Sequence, residues 1–337
     1  MTAEHKYDYI VTPYPEKLAT LLRVPYPILW ILISGLLLSI QSGAFFFAHG
    51  KPFCCWPYIV FCLLPAILAI TIVRFSKILE DFTPSLMSFL SWPEAQTLDW
   101  YSEKIRLIFN PRRMSIVGVC FILAMLHWTR TLPLYPKETL PKLTFLAILL
   151  IVQFIGGSML YVMWHIALMV RALGKIDAIK ISIYQHPLSS VKAVGALMAR
   201  FAFTIVLIYI FGASYSLVCM STASVLVTDL IFGAIVLVFF FFPQMEIHKL
   251  MFKVKHQRLI RFSAHLETAL QQVAENPSRE TVQQVRELFD IQRSLNEMGE
   301  WPFNTKMFMA ILTGIAVPLI AVLLQASCQW VEKVFIK

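Results

Sequence analysis

Charge is scarce in this sequence: only 15% of the residues are Asp, Glu, Lys or Arg, against roughly 25% in soluble domains. A soluble globular protein is therefore not the expected class. The motifs of common catalytic chemistry are missing as well, since no HExxH, paired CxxC, GxSxG or Walker-type sequence occurs. No enzyme, metal site or cofactor is expected. No cleavable signal peptide is expected either, because residues 1–26 are polar and the first apolar run begins only at Pro27. The first span itself would then target the chain.

What is abundant is apolar sequence, 58% of the whole, gathered into runs about as long as a bilayer is thick. Seven runs stand out, at 27–47, 53–73, 114–131, 142–170, 201–219, 224–242 and 306–325. The expected fold is all-α: a polytopic membrane helix bundle of about seven transmembrane helices.

The net charge of +9 raises nucleic acid as a partner until the cations are placed. Of the 29 Lys and Arg, 23 fall in segments 1–26, 74–113, 171–200 and 244–306, which alternate with the spans to lie on one side. That is the positive-inside pattern, so the N-terminus is expected in the cytoplasm and the C-terminus outside. Membrane lipid is the expected partner, and no nucleic acid.

The segments between spans differ in character. In 74–113, Leu98, Tyr101, Ile105 and Ile108 share one helical face, and Trp92 and Trp100 flank Pro93. Two readings fit, an interfacial helix at headgroup depth or a helix packed under the bundle. Segment 174–187 alternates Ile179, Ile181 and Ile183 with polar residues and reads as a short extended stretch. After the sixth span, Phe252, Leu259, Leu266 and Val273 recur every seven residues, with Phe262 and Ala269 between them. A turn at Asn276-Pro277-Ser278 then precedes Leu288, Ile291, Leu295 and Met298 at helical spacing. An antiparallel cytoplasmic helical hairpin follows, with a coiled-coil-like seam. The chain divides into 1–243 (six spans with their inner segments), 244–305 (the hairpin) and 306–337 (the seventh span and outer tail).

Few residues offer chemistry inside the spans. Asp229 lies near the outer end of the sixth, and His127 and Arg130 near the outer end of the third, where they could pair with it. A salt bridge locking two helices is the plain reading, and an ion or proton relay the sharper one. His165, beside Trp164 near the inner end of the fourth span, titrates most readily near neutral pH, though a lone His there commonly bonds a carbonyl or a headgroup. Glu246, His248 and Lys249 follow Pro243 where the sixth span ends, and the spacing of Glu246 and His248 suits no shared metal. Of six cysteines, Cys54, Cys55, Cys219 and Cys328 fall at the outer face, and Cys219 with Cys328 is the disulfide candidate.

The last span stands apart. Ala310, Gly314, Pro318 and Ala321 fall together, with Thr313 and Gln325 as uncharged polar groups. Either this is a tightly packed inner helix, or several copies of it line a path around a symmetry axis. Three functions compete. A homo-oligomeric, ion-conducting channel would assemble its subunits through the hairpin and use Ala310, Thr313, Gly314, Pro318, Ala321 and Gln325 as its lining. A secondary transporter would use Asp229 and His165 to carry an ion or small ligand. A scaffold or signalling protein would act through the hairpin.

Two resemblances bear on the choice. Ile247-His248-Lys249-Leu250-Met251, then Glu300-Trp301-Pro302-Phe303 and a final span with Pro318 ending at Leu324-Gln325, resembles the C-terminal part of a broad group of uncharacterised multi-pass bacterial membrane proteins. His186-Pro187 is similar too. That likeness implies a plasma (bacterial inner) membrane location and no activity. The order of seven spans with a helical extension before the last also resembles insect gustatory and odorant receptor channels, and implies subunits joined by the extensions and a last span lining a cation pore. This second likeness is one of architecture, since that family ends its last span in Gln-Phe and here Gln325 precedes Ala326.

Overall fold

In the computed structural model, the residues described are 13–50, 56–129, 138–176, 188–219, 222–275, 278–296 and 308–317, with positions 320 and 324. Their regular structure is helical: α1 Tyr14–Leu21, α2 Tyr26–His49, α3 Trp56–Phe89, α4 Glu94–Ile108, α5 Pro111–Thr129, α6 Thr139–Gly174, α7 Leu188–Cys219, α8 Thr222–Glu275 and α9 Arg279–Asn296, then α10 Phe308–Val317. Five stretches are long and apolar enough to cross a membrane: Tyr26–His49, Ile59–Met87, Glu94–Ala124, Thr139–Gly174 and Gly233–Glu275. The apolar described portions of α7 (Val194–Tyr209) and α10 are shorter. The alternating stretch 179–183 lies outside the described residues.

Helix boundaries follow local chemistry. Asn110 caps α5 through its Oδ1, which accepts the Arg113 N–H at 3.1 Å, and Pro111 then starts the helix with its φ already set. Gly50 ends α2 in the left-handed region at φ 66°, its N–H donating to the Phe46 carbonyl at 2.8 Å. The helix α3 runs through both Pro65 and Pro84. Pro84 has no N–H to give the Glu80 carbonyl, and both residues are exposed rather than in the core.

One large core joins α3, α4, α6 and α7, with Phe75, Leu79, Leu86, Ile108, Val162 and Val170 at its centre. The helix α4 belongs to it, because Tyr101, Ile105 and Ile108 are buried and the Tyr101 hydroxyl donates to the Leu79 carbonyl at 2.6 Å. The face of α4 read from the sequence is therefore the one packed on the other helices. Trp92 and Trp100 meet edge to face at 6.3 Å beside it.

The helices α5 and α6 cross at backbone distance. A Cβ on Gly157 would lie 2.6 Å from Phe121 Cβ and 3.0 Å from Gly118 Cα. Ser158 Oγ lies between carbonyls of both helices, Met114 at 3.2 Å and Phe154 at 2.9 Å, and its one O–H is shared between them. Small residues that admit close contact are how helices associate where lipid removes the hydrophobic drive.

The helix α8 continues without interruption for 54 residues, and α9 folds back along its distal part. Ser278 caps α9 reciprocally: Thr281 N–H donates to its Oγ at 3.1 Å, and its own N–H donates to Thr281 Oγ1 at 3.0 Å. Leu266 is buried in the hairpin, with Leu259, Phe262, Ala269, Val273, Val285 and Leu288 half-buried around it.

Candidate functional site

Two places combine the residues singled out in the sequence with a definite geometry. The first is the seat of α10. Ile311 and Ile315 are buried in a small separate cluster with Ala202, Val206 and Tyr209 of α7 and Val236 and Phe240 of α8. Gly314 lies so close to Val206 that an added Cβ would collide with its Cγ1, and Gly233 of α8 gives Ile315 its space, 3.0 Å from where a Cβ would sit. Phe308 meets Phe241 edge to face at 5.8 Å.

That seating uses one side of the helix and leaves the other open. Ala310, Thr313, Val317, Ile320 and Leu324 are all exposed, at spacings of three, four, three and four. The six sequence candidates therefore separate. Gly314 is engaged with its own chain, Ala310 and Thr313 face outward, and Pro318, Ala321 and Gln325 lie outside the described residues. Ala310 and Gly314, one turn apart, thus differ in exposure, and Val317, which has no polar atom to attract notice, is part of the exposed stripe.

The second place is the seam between the end of α6 and the middle of α8. The two helices come so close that a Cβ on Gly174 would lie 2.9 Å from Glu246 Cβ and 3.1 Å from the Ile247 nitrogen. Glu246, its side chain only 17% exposed, is held between two cations: Lys249 Nζ donates to its Oε1 at 3.2 Å, and Arg171 Nε stands 3.7 Å from the same oxygen. The Arg171 guanidinium also covers the Phe242 ring at 4.7 Å. Trp164 stacks on Phe242 at 5.7 Å and meets Phe239 edge to face at 6.2 Å. Gln244 is fully buried beside them, donating Nε2 to the Phe240 carbonyl at 2.9 Å.

Other candidates are placed more simply. His165 packs its ring against Tyr161 at 4.0 Å, with Nδ1 3.0 Å from the Tyr161 carbonyl one turn back. That geometry gives Nδ1 a partner within its own helix. His127 falls in the last turn of α5 and Asp229 in the third turn of α8, while Arg130 lies outside the described residues. Cys219 closes α7, and its proposed partner Cys328 is likewise outside them, as are Cys54 and Cys55. Cys62 and Cys120 are free thiols. Among the described residues, no group of three or more His, Cys, Asp and Glu could hold a metal ion.

The seam is not legible in the sequence, because Arg171 and Glu246 sit 75 positions apart and no local pattern marks them as neighbours. The usable signal was chemical: Glu246 is an acid among Lys and Arg, within a turn of a proline. No known protein family, curated protein or solved structure matches this chain.

Proposed function

We propose that the chain is a seven-span membrane protein whose copies assemble into an ion-conducting channel, with the exposed stripe of α10 turned toward the conduction path. In this reading α7 and α10 cross the bilayer with the five longer stretches, the N-terminus is cytoplasmic, and the α8–α9 hairpin projects into the cytoplasm of a bacterial cell. The charge asymmetry of the connecting segments supports that orientation. The observation that carries the reading is the two-sided character of α10. One face is locked to α7 and α8 through Gly314, Ile311 and Ile315, and the other presents a heptad-spaced stripe containing a single hydroxyl, Thr313.

The reading assigns no catalytic residue and no cofactor. Its test is current across a planar bilayer containing the purified chain, with Thr313→Cys introduced for modification. A water-soluble charged thiol reagent should block the Thr313→Cys current and leave a Leu168→Cys control, on the exposed side of α6, conducting. Silence across voltage, pH and ionic composition would sink the proposal.

A second reading draws on the hairpin. Val282, Phe289 and Ile291 are exposed on α9, a surface that a cytoplasmic protein could cover if the chain were a scaffold. Particle mass decides between them, since the channel needs several copies and the scaffold needs one.

A further inference from the structure

The first helix, α1, has two exposed flanks of opposite character, and we propose that its leucine flank, Leu18, Leu21 and Leu22, lies among the lipids at the edge of the leaflet where α2 begins. Viewed down its axis, at about 100° per residue, α1 divides into three sectors. Pro15 and Ala19 face the bundle and are buried. Leu18, Leu21 and Leu22 take one flank and are 39%, 79% and 52% exposed. Lys17 and Thr20, both exposed, take the other flank with the half-buried Glu16. A helix surrounded by water gains nothing from the first flank, whereas one lying in a membrane surface uses both, leucines toward the acyl chains and polar groups toward water.

Both ends of α1 are pinned in this attitude. At its start the Pro15 carbonyl accepts the Trp30 Nε1–H at 3.4 Å, which ties it to the second turn of α2. At its end the Val24 N–H donates to the Ala19 carbonyl at 3.1 Å, and the Arg23 N–H to the Thr20 carbonyl at 3.2 Å. That is the Schellman arrangement, with Arg23 at φ 55° in the left-handed position that glycine usually fills. Turning the leucines inward would break these bonds. Chain continuity sets the level in the membrane. The 24 residues of α2 rise about 36 Å, enough to cross a bilayer, so the elbow at 22–25 stands at its edge. Exposed Ile28, Ile31 and Leu32 carry the apolar surface on from the elbow into α2. Cations suited to lipid phosphates gather at the same elbow: Arg23 is exposed on it, and Lys77 of α3 covers the Tyr26 ring at 5.2 Å. The inference rests on α2 crossing the bilayer and is independent of conduction.

The test puts a nitroxide-bearing p-acetylphenylalanine in place of Thr20, Leu21 or Leu36 in the full-length chain, in vesicles of dioleoylphosphatidylcholine and dioleoylphosphatidylglycerol. It reads collisions with oxygen, which concentrates in lipid, and with a water-soluble nickel chelate. All three positions are exposed, so each accommodates the label. The oxygen-to-chelate ratio at Leu21 should exceed that at Thr20 about fivefold and approach that at Leu36, near the middle of α2. Equal ratios at Thr20 and Leu21, with Leu36 still shielded from the chelate, would overturn the proposal alone. A chelate-accessible Leu36 would overturn the span beneath it as well. Few collisions with either reagent at Leu21, with dipolar broadening between labels, would show a second copy seated on the flank and overturn it too.

Discussion

The α5–α6 crossing and the α8–α9 hairpin are both pairs of consecutive helices, and they are built in opposite ways. At the first, Gly118, Gly157 and Ser158 bring the two backbones together. At the second, the seam is made of large side chains, Leu259, Phe262, Leu266, Val273 and Leu288. The first is the packing suited to lipid, where small residues and a hydrogen bond replace the hydrophobic drive. The second is the packing suited to water, where burying large apolar groups stabilises the pair. The hairpin also leaves Ile260, Leu270, Val282, Phe289 and Ile291 exposed. In lipid such residues would need no explanation, but if the hairpin faces water, as proposed, they are surface still to be covered.

The largest effect should come from forcing the two backbones apart at the first pair. Gly157→Leu puts a side chain where even a Cβ would stand 2.6 Å from Phe121 Cβ and 3.0 Å from Gly118 Cα. The obstacle includes backbone, so rotamer changes cannot relieve it, and the expected destabilisation is about 3 kcal/mol. Gly35→Leu on α2 supplies the contrast, because nothing lies within 4 Å of its added Cβ. Thermal melting of both variants in one detergent should separate them by many degrees. Equal midpoints would mean that α5 and α6 are not closely crossed.

The hairpin offers a middle-sized effect that divides by face. Leu266→Ala empties the buried seam and should destabilise the hairpin by about 2 kcal/mol, seen as faster hydrogen exchange in α9. Phe289→Ser, 48% exposed, should leave that exchange unchanged and instead lower the fraction of assembled copies in particle-mass measurements. If Phe289→Ser loosens α9 as Leu266→Ala does, the exposed face is part of the seam and the contrast with the first pair fails.

The hairpin was legible in sequence because heptad spacing and a cap are local signals. Its limit was local too: Phe252 continues the heptad but is 52% exposed. The 18 residues of α9, running back from the turn at the helical rise of about 1.5 Å each, cover α8 only to around position 258. Phe252 therefore has no α9 opposite it and stacks on His256 at 6.1 Å. The face of α4 was equally readable, since Leu98, Tyr101, Ile105 and Ile108 needed only a period, whereas its burial in the core depended on α3 continuing past Pro84. The Arg171–Glu246 seam and the Gly314–Val206 contact were not legible, because each depends on which helices become neighbours, and hydropathy and charge carry no record of that order.

The smallest effect tests whether the hairpin's turn or its seam sets its stability. Ser278→Ala removes the acceptor for the Thr281 N–H at 3.1 Å. Thr281 Oγ1 would still accept the N–H of residue 278, since that bond uses the backbone. Half of the reciprocal cap thus survives, and the loss should be about 1 kcal/mol. Hydrogen exchange should rise at the first turn of α9 and remain unchanged around Leu288. A rise spread along the whole of α9 would show that the seam is too weak to hold the helix without its cap.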